Sequence, residues 1–374
     1  MALSLREYAN VEELPRDAWD RLVVASGAAI FFDTHLLAGV AGHSIEAPLA
    51  IRYFAITEGG DGGGELVAAA VAYAIRRSIW WDYYGDLIGC PDVFGGPWIA
   101  MPSVFTWSGD IPLRPGADPA EVAALLVAAG RRFARDHQAV ALAVTNVTRD
   151  APLTAPLRGL ADLAIFLDNN AVIPTHASFE AYVAALETDV RHDLRRVRRR
   201  AAERGCRWLT YRSGDYPPGA IAKLLELVNG GATRRDQDAV YSLELLAALA
   251  AAPSARLLLA VAGEPVAGFL VQEDATRLYV QAGGWDTARK DLSPFVNIVY
   301  ELVRQAHEWR KAAIEFGRTN YRFKRKHGSR LIPLYGLVYL TELADPGLRD
   351  RLLAVERGIA EFVAGGGGDV VALA

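Results

Sequence analysis

A run of basic residues near the end of the chain has the composition of an anion-binding site. Residues 324–326 read Lys-Arg-Lys and come shortly after an apolar segment, 313–316. A lysine at the end of a strand could bind a phosphate, or stabilise the oxyanion that forms when an amine attacks an ester or thioester carbonyl. The alternative is a solvated basic loop. The first interpretation makes Lys324 the leading catalytic candidate.

A second basic segment lies in the middle of the chain. Apolar residues recur at helical spacing from Val190 to Ala201, Gly205 ends the pattern, and seven arginines occupy the remaining faces between residues 191 and 204. This basic helix, 190–205, could follow the phosphates of an RNA. Its arginines could equally face water and pair with neighbouring acids. The candidate tRNA-binding residues are Arg191, Arg195, Arg196, Arg198 and Arg199.

Aromatic residues interleaved with acids form a third group. Residues 80–86 read Trp-Trp-Asp-Tyr-Tyr-Gly-Asp and follow a predicted strand. Aromatic faces and carboxylates suit a pocket for a cationic or sugar-bearing acceptor, and the alternative is packing in the core. The candidate acceptor-binding residues are Trp80, Trp81, Tyr83, Tyr84 and Trp107.

A general base would accept a proton from the attacking amine. Asp82, Asp286 and His327 are candidates because of the segments that they occupy, whereas the other histidines are scattered singly. Two cysteines are too few for a disulfide framework or a four-cysteine zinc site. No metal-ligand spacing and no serine elbow appears. We therefore expect no metal and no covalent enzyme intermediate.

Two halves of the chain show the same order of predicted elements. In the first half these are three strands at 51–57, 65–75 and 104–107, a helix at 118–135 and a strand at 139–145. In the second half they are at 256–262, 266–272, 278–283, 293–309, 313–316 and 334–340. The two helices begin with Asp118-Pro119 and Ser293-Pro294, in which the aspartate and the serine are the predicted N-caps. This repetition predicts an internal duplication of an α/β fold (α+β, with mixed sheets) in which an antiparallel start is followed by one crossover helix. We expect domains at 1–170 and 171–345, and a C-terminal helix with a flexible tail at 346–374.

The bulk composition agrees with two folded domains. The chain has 374 residues, 52% hydrophobic and 22% charged, a net charge of -4 and a pI near 6.0. These values exclude a disordered chain and give no global attraction to nucleic acid or membrane, so any anion site is a local patch. Residues 1–10 contain no apolar core of signal-peptide length, and the longest apolar runs, such as 66–75, are about half as long as a bilayer span. We therefore expect a cytoplasmic protein.

Three segments resemble the Fem-like branch of the acetyltransferase (GNAT) superfamily, whose members hold tandem acetyltransferase-type domains. Residues 178–205 resemble the helix pair ahead of the second domain, and 258–268 resemble that domain's opening hairpin. Residues 314–317 and 321–328 are similar to the family's strand ending in glycine and its aromatic-Lys-x-x-aromatic-Gly turn, with His327 at the second aromatic position. By this resemblance, the donor-binding candidates are Arg289, Arg318, Asn320, Tyr321, Arg325 and Lys326.

The resemblance implies an amide-forming acyltransferase, and the phosphate loops indicate its donor. Acyl-CoA-dependent members cradle a pyrophosphate on a glycine-rich loop at a helix N-terminus. The matching segment 286–294 contains no glycine, and 113–118 contains one. We therefore expect transfer of an aminoacyl group from aminoacyl-tRNA to an amine of a small-molecule or peptide precursor, with peptide-type bond formation and no cofactor. The alternatives are an acyl-CoA-dependent N-acyltransferase of natural-product or cell-envelope biosynthesis, and a non-catalytic binding scaffold.

Overall fold

The computed structural model describes residues 2–44, 46–59, 64–78, 85–86, 89, 94–102, 106–233, 239–368, 370 and 373. The chain divides into two compact units. Unit 1 comprises Met1–Asn170 and Ile332–Ala374, and unit 2 comprises Ala171–Leu331.

Unit 1 begins with one strand and two helices, and continues with strands that flank a long helix. In chain order its elements are β1 (Leu3–Tyr8), α1 (Arg16–Ser26), α2 (Thr34–His43), β2 (Ala50–Glu58), β3 (Glu65–Ile75), β4 (Trp98–Met101), α3 (Pro119–Asp136), β5 (Ala141–Val147), α4 (Thr154–Leu160) and β6 (Leu163–Pro174). As the sequence predicts, Asp118 caps α3, and its carboxylate accepts the Ala120 N–H at 2.9 Å.

Unit 2 contains two helices, α5 and α6, followed by a second set of strands and helices. Its elements are α5 (Phe179–Ala185), α6 (Thr188–Glu203), β7 (Arg207–Arg212), α7 (Ala220–Thr233), α8 (Leu243–Ala250), β8 (Ala255–Ala262), β9 (Glu264–Glu273), β10 (Arg277–Trp285), α9 (Pro294–Glu308), β11 (Ala313–Glu315) and α10 (Tyr321–Lys326). After unit 2 the chain forms β12 (Arg330–Leu340) and α11 (Leu348–Gly365).

The strand pairing confirms the predicted duplication. In unit 1, β1, β2, β3 and β4 pair antiparallel in that order, and β4 pairs parallel with β5. In unit 2, β7, β8, β9 and β10 pair antiparallel in that order, and β10 pairs parallel with β11. In both units two helices follow the first strand, and one crossover helix joins the parallel strands. The mixed α/β fold therefore occurs twice.

Close packing of α7 on β10 depends on one glycine of unit 2. A side-chain carbon on Gly284 would lie 2.3 Å from the backbone nitrogen of Val228. The helix α9 also packs against β9 and β10, through buried residues such as Ile298 and Leu302. These contacts cover the strands that lead to the site described below.

Two elements differ from the sequence-based expectation. The described third strand of unit 1 is β4, at Trp98–Met101, while the expected strand at 104–107 lies partly outside the described residues and does not form a strand at Thr106 and Trp107. The last strand, β12, which we expected in the second domain, pairs with β5 and lies between β5 and β6 in unit 1. Within the described chain, every helix is too short or too polar to cross a bilayer.

Candidate functional site

The parallel strands of unit 2 separate at a defined point. β10 pairs with β11 through Arg277–Tyr279, and β11 then ends at Glu315. β10 continues to Trp285 after a bulge between Val280 and Ala282. Beyond Tyr279, therefore, β10 has no strand partner on that side among the described residues. The Gln281 carbonyl in this segment accepts the Tyr241 hydroxyl. Other backbone N–H and C=O groups of such an edge can hydrogen-bond an extended ligand.

Aromatic side chains lie where β10 ends. The ring of Trp285 stacks on Phe295 of α9, with centroids 4.2 Å apart and an interplanar angle of 29°. Phe295 in turn contacts Phe323 of α10, with centroids 4.8 Å apart. All three rings are half-buried, and we call them the aromatic cluster. It offers flat apolar surface to an acyl group or a stacked ring.

Asp286 is placed next to this cluster. Its backbone N–H donates to the Val266 carbonyl at 2.8 Å, and its Oδ1 accepts the Ala288 N–H at 2.8 Å. Its Oδ2 has no hydrogen-bond partner in the described part of the chain, and the residue is half-buried. A carboxylate with a free oxygen at the end of β10 could accept a proton from an amine. Among the described residues, Asp286 therefore remains a candidate for the general base.

Lys324 lies in a different environment from the one expected. It belongs to the helix α10 rather than to a turn, it is 8% exposed, and its Nζ donates to the carbonyls of Phe316, Gly317 and Arg318 at 3.0, 3.0 and 2.5 Å. An ammonium has three N–H donors, and these three carbonyls lie within hydrogen-bond distance of it. This arrangement fixes the chain where it leaves β11. It does not support the predicted contact with a phosphate or an oxyanion.

His327 is also buried, at 7% exposed. Its Nδ1 lies 2.6 Å from the Tyr300 hydroxyl, and its ring packs on Phe323 with centroids 4.0 Å apart. Burial, assisted by the charge of Lys326, lowers the pKa of His327 to about 4. The imidazole is therefore neutral near pH 7 and a weak base, which argues against the predicted role in proton transfer.

The loop before α9 does not form a pyrophosphate cradle. Its N–H groups at Ala288, Leu292 and Ser293 donate to Asp286, to Arg289 and to Lys290. Arg289 pairs with Asp291 at 3.2 Å, and α9 starts with a proline, which has no N–H. The predicted serine cap is wrong, because Ser293 has a φ of 43° and makes no side-chain cap bond. Engaged N–H groups and a nearby carboxylate disfavour an anionic pyrophosphate here.

The matching loop of unit 1, residues 113–118, also makes hydrogen bonds and ion pairs within the protein. The Ala117 N–H donates to Arg114, and Asp118 takes the Ala120 N–H. The Arg114 side chain contacts Glu58 and pairs with Glu65 at 2.7 Å. Both loops thus use part of their backbone N–H groups in internal hydrogen bonds, and neither has a glycine-rich sequence.

The basic helix α6 exposes some of its arginines and engages others. Arg191 donates to the carbonyls of Ala184 and Leu186 at 2.8 and 2.6 Å. Arg198 pairs with Glu301 of α9, a carboxylate that is 1% exposed, at 3.2 Å. Although burial raises the pKa of the Glu301 carboxyl, its bond to Arg304 and its other polar neighbours bring that pKa below the usual value. Arg198 is thus a structural anchor with a paired charge, whereas Arg191 is fixed in position by uncharged groups.

The other three arginines face solvent. Arg195 is exposed and has no partner in the described part of the chain. Arg196 contacts Asp193, and Arg199 pairs with Glu203 at 3.7 Å, but all four of these side chains are at least half exposed. Exposed pairs contribute about 0–1 kcal/mol, so a phosphate can displace them.

The remaining donor-binding candidates fall into two groups. Arg318 and Tyr321 are buried, at 9% and 1% exposed. Asn320, Arg325 and Lys326 are exposed, and Lys326 pairs with Asp189 of α6 at 3.2 Å. The sequence therefore identifies a segment that the fold places near α6, but its basic side chains do not converge on one point.

Part of the chain matches a known protein family. Residues 188–325, which run from α6 to α10, match the family model described as an acetyltransferase (GNAT) domain. The match identifies a GNAT-type acyltransferase domain within unit 2. The match favours the enzyme interpretation over that of a non-catalytic scaffold. A search of curated proteins finds no match.

Three solved structures share the fold of this chain over nearly its whole length. The structure of FemX aligns with a TM-score of 0.61 at 13% identity, covering 90% of this chain and 97% of FemX. The structure of L-PGS from Bacillus licheniformis aligns with a TM-score of 0.57 at 12% identity, covering 92% and 97%. A conserved protein of unknown function from Bacteroides thetaiotaomicron aligns with a TM-score of 0.54 at 12% identity, covering 88% and 98%. These likenesses agree with the predicted fold, whose repetition is shown by the strand pairing of the two units.

Most predicted acceptor-binding residues of the acyltransferase lie outside the described residues. Trp80, Trp81, Tyr83 and Tyr84 belong to that group, as does the candidate base Asp82. Trp107 is described, is half-buried, and makes an edge contact with Phe31 at 6.4 Å. This contact is compatible with core packing, the alternative that the sequence left open.

One group of side chains in the described residues has the spacing of a metal site. Asp20, Asp33 and His35 bring ligand atoms within 4.8 Å of one another. Both Asp20 oxygens, however, accept hydrogen bonds from Thr34, and Asp33 caps α2 by accepting the His35 N–H at 2.9 Å. The group is explained by helix capping.

Sequence reasoning missed a buried polar run in β6. Asp168, Asn169 and Asn170 are 4%, 0% and 3% exposed within an otherwise apolar strand. Three consecutive buried polar residues interrupt the alternation of a normal strand, and that interruption is the signal that could have drawn attention to them. Such residues are candidates for orienting polar groups in the acyltransferase.

Proposed function

We propose that this acyltransferase transfers an aminoacyl group from aminoacyl-tRNA to a primary amine of a small-molecule or peptide precursor. The amine nitrogen would attack the ester carbonyl, the N–C bond would form, and the C–O bond to the terminal ribose would break. The proton lost by the nitrogen would pass to the departing ribose oxygen, with Asp286 as the relay. No covalent enzyme intermediate is required.

The exposed arginine face of α6 carries this proposal. Arg195, Arg196 and Arg199 lie on the solvent side of the helix, and none is held by a buried carboxylate. Arginine suits phosphate recognition because its planar guanidinium donates in pairs. A transfer RNA presents many phosphates to such a face, whereas the glycine-rich sequence that commonly binds the pyrophosphate of CoA is missing from both loops. The resemblance to Fem-type aminoacyltransferases supports the same donor.

Asp286 and the aromatic cluster supply the chemical part of the proposal. Asp286 has one oxygen without a hydrogen-bond partner among the described residues, and Trp285 lies directly before it. An aminoacyl group placed along the β10 edge would bring its carbonyl close to both. An acyl-CoA-dependent N-acyltransferase is the second candidate, because the same edge and the GNAT match also suit a thioester.

A donor competition assay tests the proposal. The purified chain is incubated with an amine library and with either a charged tRNA pool or a set of acyl-CoA thioesters, and amide products are detected by mass spectrometry. We expect product with charged tRNA alone. Product with CoA thioesters alone would refute the tRNA donor and support the second candidate.

The RNA contact is tested by salt-dependent binding. Replacing Arg195, Arg196 and Arg199 together by alanine should weaken tRNA binding, and the slope of log K against log salt should fall by roughly 2 to 3. The matched control replaces Arg16, Arg21 and Arg349, three exposed arginines of unit 1, by alanine and should leave the slope unchanged. Equal slopes for the two variants would show that the exposed arginines of α6 do not bind the tRNA.

A further inference from the structure

A groove in unit 2 lies between α5 and α6, outside the aromatic cluster. It is lined by Phe179, Glu180, Val183, Ala184, Arg191 and Arg195 and has a volume of roughly 590 Å³. The groove is open to solvent along one side of the basic helix. Its lining combines an apolar floor with two cationic groups, a combination that the proposed reaction does not use.

Phe179 provides the floor. The ring is half-buried, packs against the core of unit 2, and lies 6.1 Å from the Tyr182 ring at an interplanar angle of 34°. Val183 lies one turn further along α5 and extends the same apolar surface. A fixed aromatic face of this kind can stack against a planar ring.

Arg191 and Arg195 provide the charge. The Arg191 guanidinium is held by the carbonyls of Ala184 and Leu186 and by the Thr188 hydroxyl, at 2.8, 2.6 and 2.9 Å. All three partners are uncharged, so its positive charge is not neutralised. Arg195 follows one turn later, exposed and without a partner in the described part of the chain. Glu180 is the one acid of the lining, so the groove retains a net positive charge.

We infer that this groove binds an unpaired nucleotide of an RNA, with its base against Phe179 and its phosphate between Arg191 and Arg195. This inference rests on the proposed function, since it names the part of the donor that the basic helix would hold. The nucleotide must be unpaired, because only a base outside a duplex can stack on a side chain. Arg199 lies one turn beyond Arg195 and continues the positive surface.

The chemistry of the rim favours an RNA over a lipid surface. A helix that lies in a membrane interface exposes large apolar residues beside its basic ones. The exposed face of α6 carries His192, Arg195, Arg196 and Arg199, and the exposed end of α5 carries only Ala184 and Ala185. The apolar part of this site is inside the groove, which can hold a single base but cannot insert into the acyl chains of a membrane.

Fluorescence anisotropy with two probes tests the groove. The probes are labelled single-stranded hexaadenylate and a labelled 12-base-pair RNA duplex. Phe179→Ala and Phe179→Leu should each weaken hexaadenylate binding by roughly 5- to 100-fold with an unchanged salt slope, because stacking is lost and charge is kept. Duplex binding should change little. Phe179→Leu keeps the apolar contact with the core, so its effect is not one of misfolding.

Three further variants sharpen the result. Phe179→Trp should restore hexaadenylate binding, and Arg195→Ala should weaken it and lower the salt slope by roughly 0.7. Tyr211→Ala, which removes a half-buried aromatic of β7, is the matched control and should bind as the wild type. Wild-type affinity of both Phe179→Ala and Phe179→Leu would overturn the inference.

The donor assay separates this inference from the proposed function. Amide formation from charged tRNA, with hexaadenylate binding insensitive to Phe179, would refute the groove alone. Hexaadenylate binding that depends on Phe179, with amide formed only from CoA thioesters, would refute the tRNA donor and leave the groove standing. Binding to phosphatidylglycerol vesicles that depends on Arg195, with no hexaadenylate binding, would overturn the inference in favour of a lipid surface.

Discussion

Two helices of unit 2, α6 and α10, are both rich in basic residues but place key basic side chains in opposite environments. In α10, residues 324–326 read Lys-Arg-Lys, and the lysine is buried with its ammonium bound to three backbone carbonyls. In α6, Arg195, Arg196 and Arg199 face water, with one weak exposed pair or no partner among the described residues. The basic residue expected to meet the substrate is thus part of the framework, while the surface arginines remain available.

This contrast shows that basic composition alone does not identify an anion site. A side chain that already donates to carbonyls stabilises a backbone conformation, here at the end of β11 where Gly317 has a φ of 66°. A side chain with only exposed partners can exchange them for a ligand at little cost. Four variants test how far the contrast holds.

The largest effect is expected at Lys324. Replacing it by methionine keeps the length of the side chain but leaves the carbonyls of Phe316, Gly317 and Arg318 without their donor. We expect a loss of about 3 kcal/mol in the free energy of unfolding, measured by denaturant titration. Arg325→Met, at the exposed neighbouring position, is the control and should change stability by less than about 0.5 kcal/mol. Equal effects would show that Lys324 is not a structural anchor.

The next effect concerns pH and His327. Its pKa is about 4 in the folded chain and about 6.5 when unperturbed, so protonation favours the unfolded chain. The stability that neutral His327 provides is present above pH 6.5 and is lost as the pH falls from about 6.5 to about 4, by up to roughly 3 kcal/mol. His327→Phe should flatten this part of a stability profile measured by thermal and denaturant unfolding. A profile with the wild-type slope would refute the assignment.

A smaller effect is expected where α6 is anchored to α9. Arg198→Ala removes one partner of the buried Glu301 but leaves Arg304 in place, so we expect a loss of about 1–2 kcal/mol in the free energy of unfolding. Arg195→Ala, three residues away on the exposed face, provides the comparison. If the two variants were equally stable, the distinction between anchoring and exposed arginines on α6 would fail.

The smallest effect on stability is expected for the exposed arginines together. The variant with Arg195, Arg196 and Arg199 replaced by alanine should unfold within about 0.5 kcal/mol of the wild type, because exposed pairs contribute little. Its salt-dependent tRNA binding should nevertheless change as described above. A large loss of stability would show that these arginines, like Lys324, are structural anchors.

The sequence was sufficient for most of the fold because its local signals agree. Apolar strands bounded by turns predicted β3 at Glu65–Ile75, and the aspartate–proline start predicted α3. The strand β6 was not predicted, because Asp168, Asn169 and Asn170 interrupt its apolar pattern. The pairing of β12 with β5 was also not predicted, since no local pattern specifies a partner that lies far away along the chain.

The candidate site was less predictable than the fold. Aromatic and basic residues near 321–328 were identified from their types, but burial and hydrogen bonding decide what each can do. The sequence could not show that Lys324 folds back on the carbonyl of Phe316, or that Trp285 and Phe295 stack across a strand and a helix. Contacts of this kind depend on tertiary packing, which residue spacing does not encode.

The position of β12 has a consequence for synthesis of the chain. This strand is inserted between β5 and β6, yet it is translated only after all of unit 2. On the ribosome, the first 170 residues therefore emerge without an interior strand of their own sheet. Unit 2, which is continuous in sequence, can complete its strand pairing first, and a product cut short before residue 330 would leave the edges of β5 and β6 open to association with other chains.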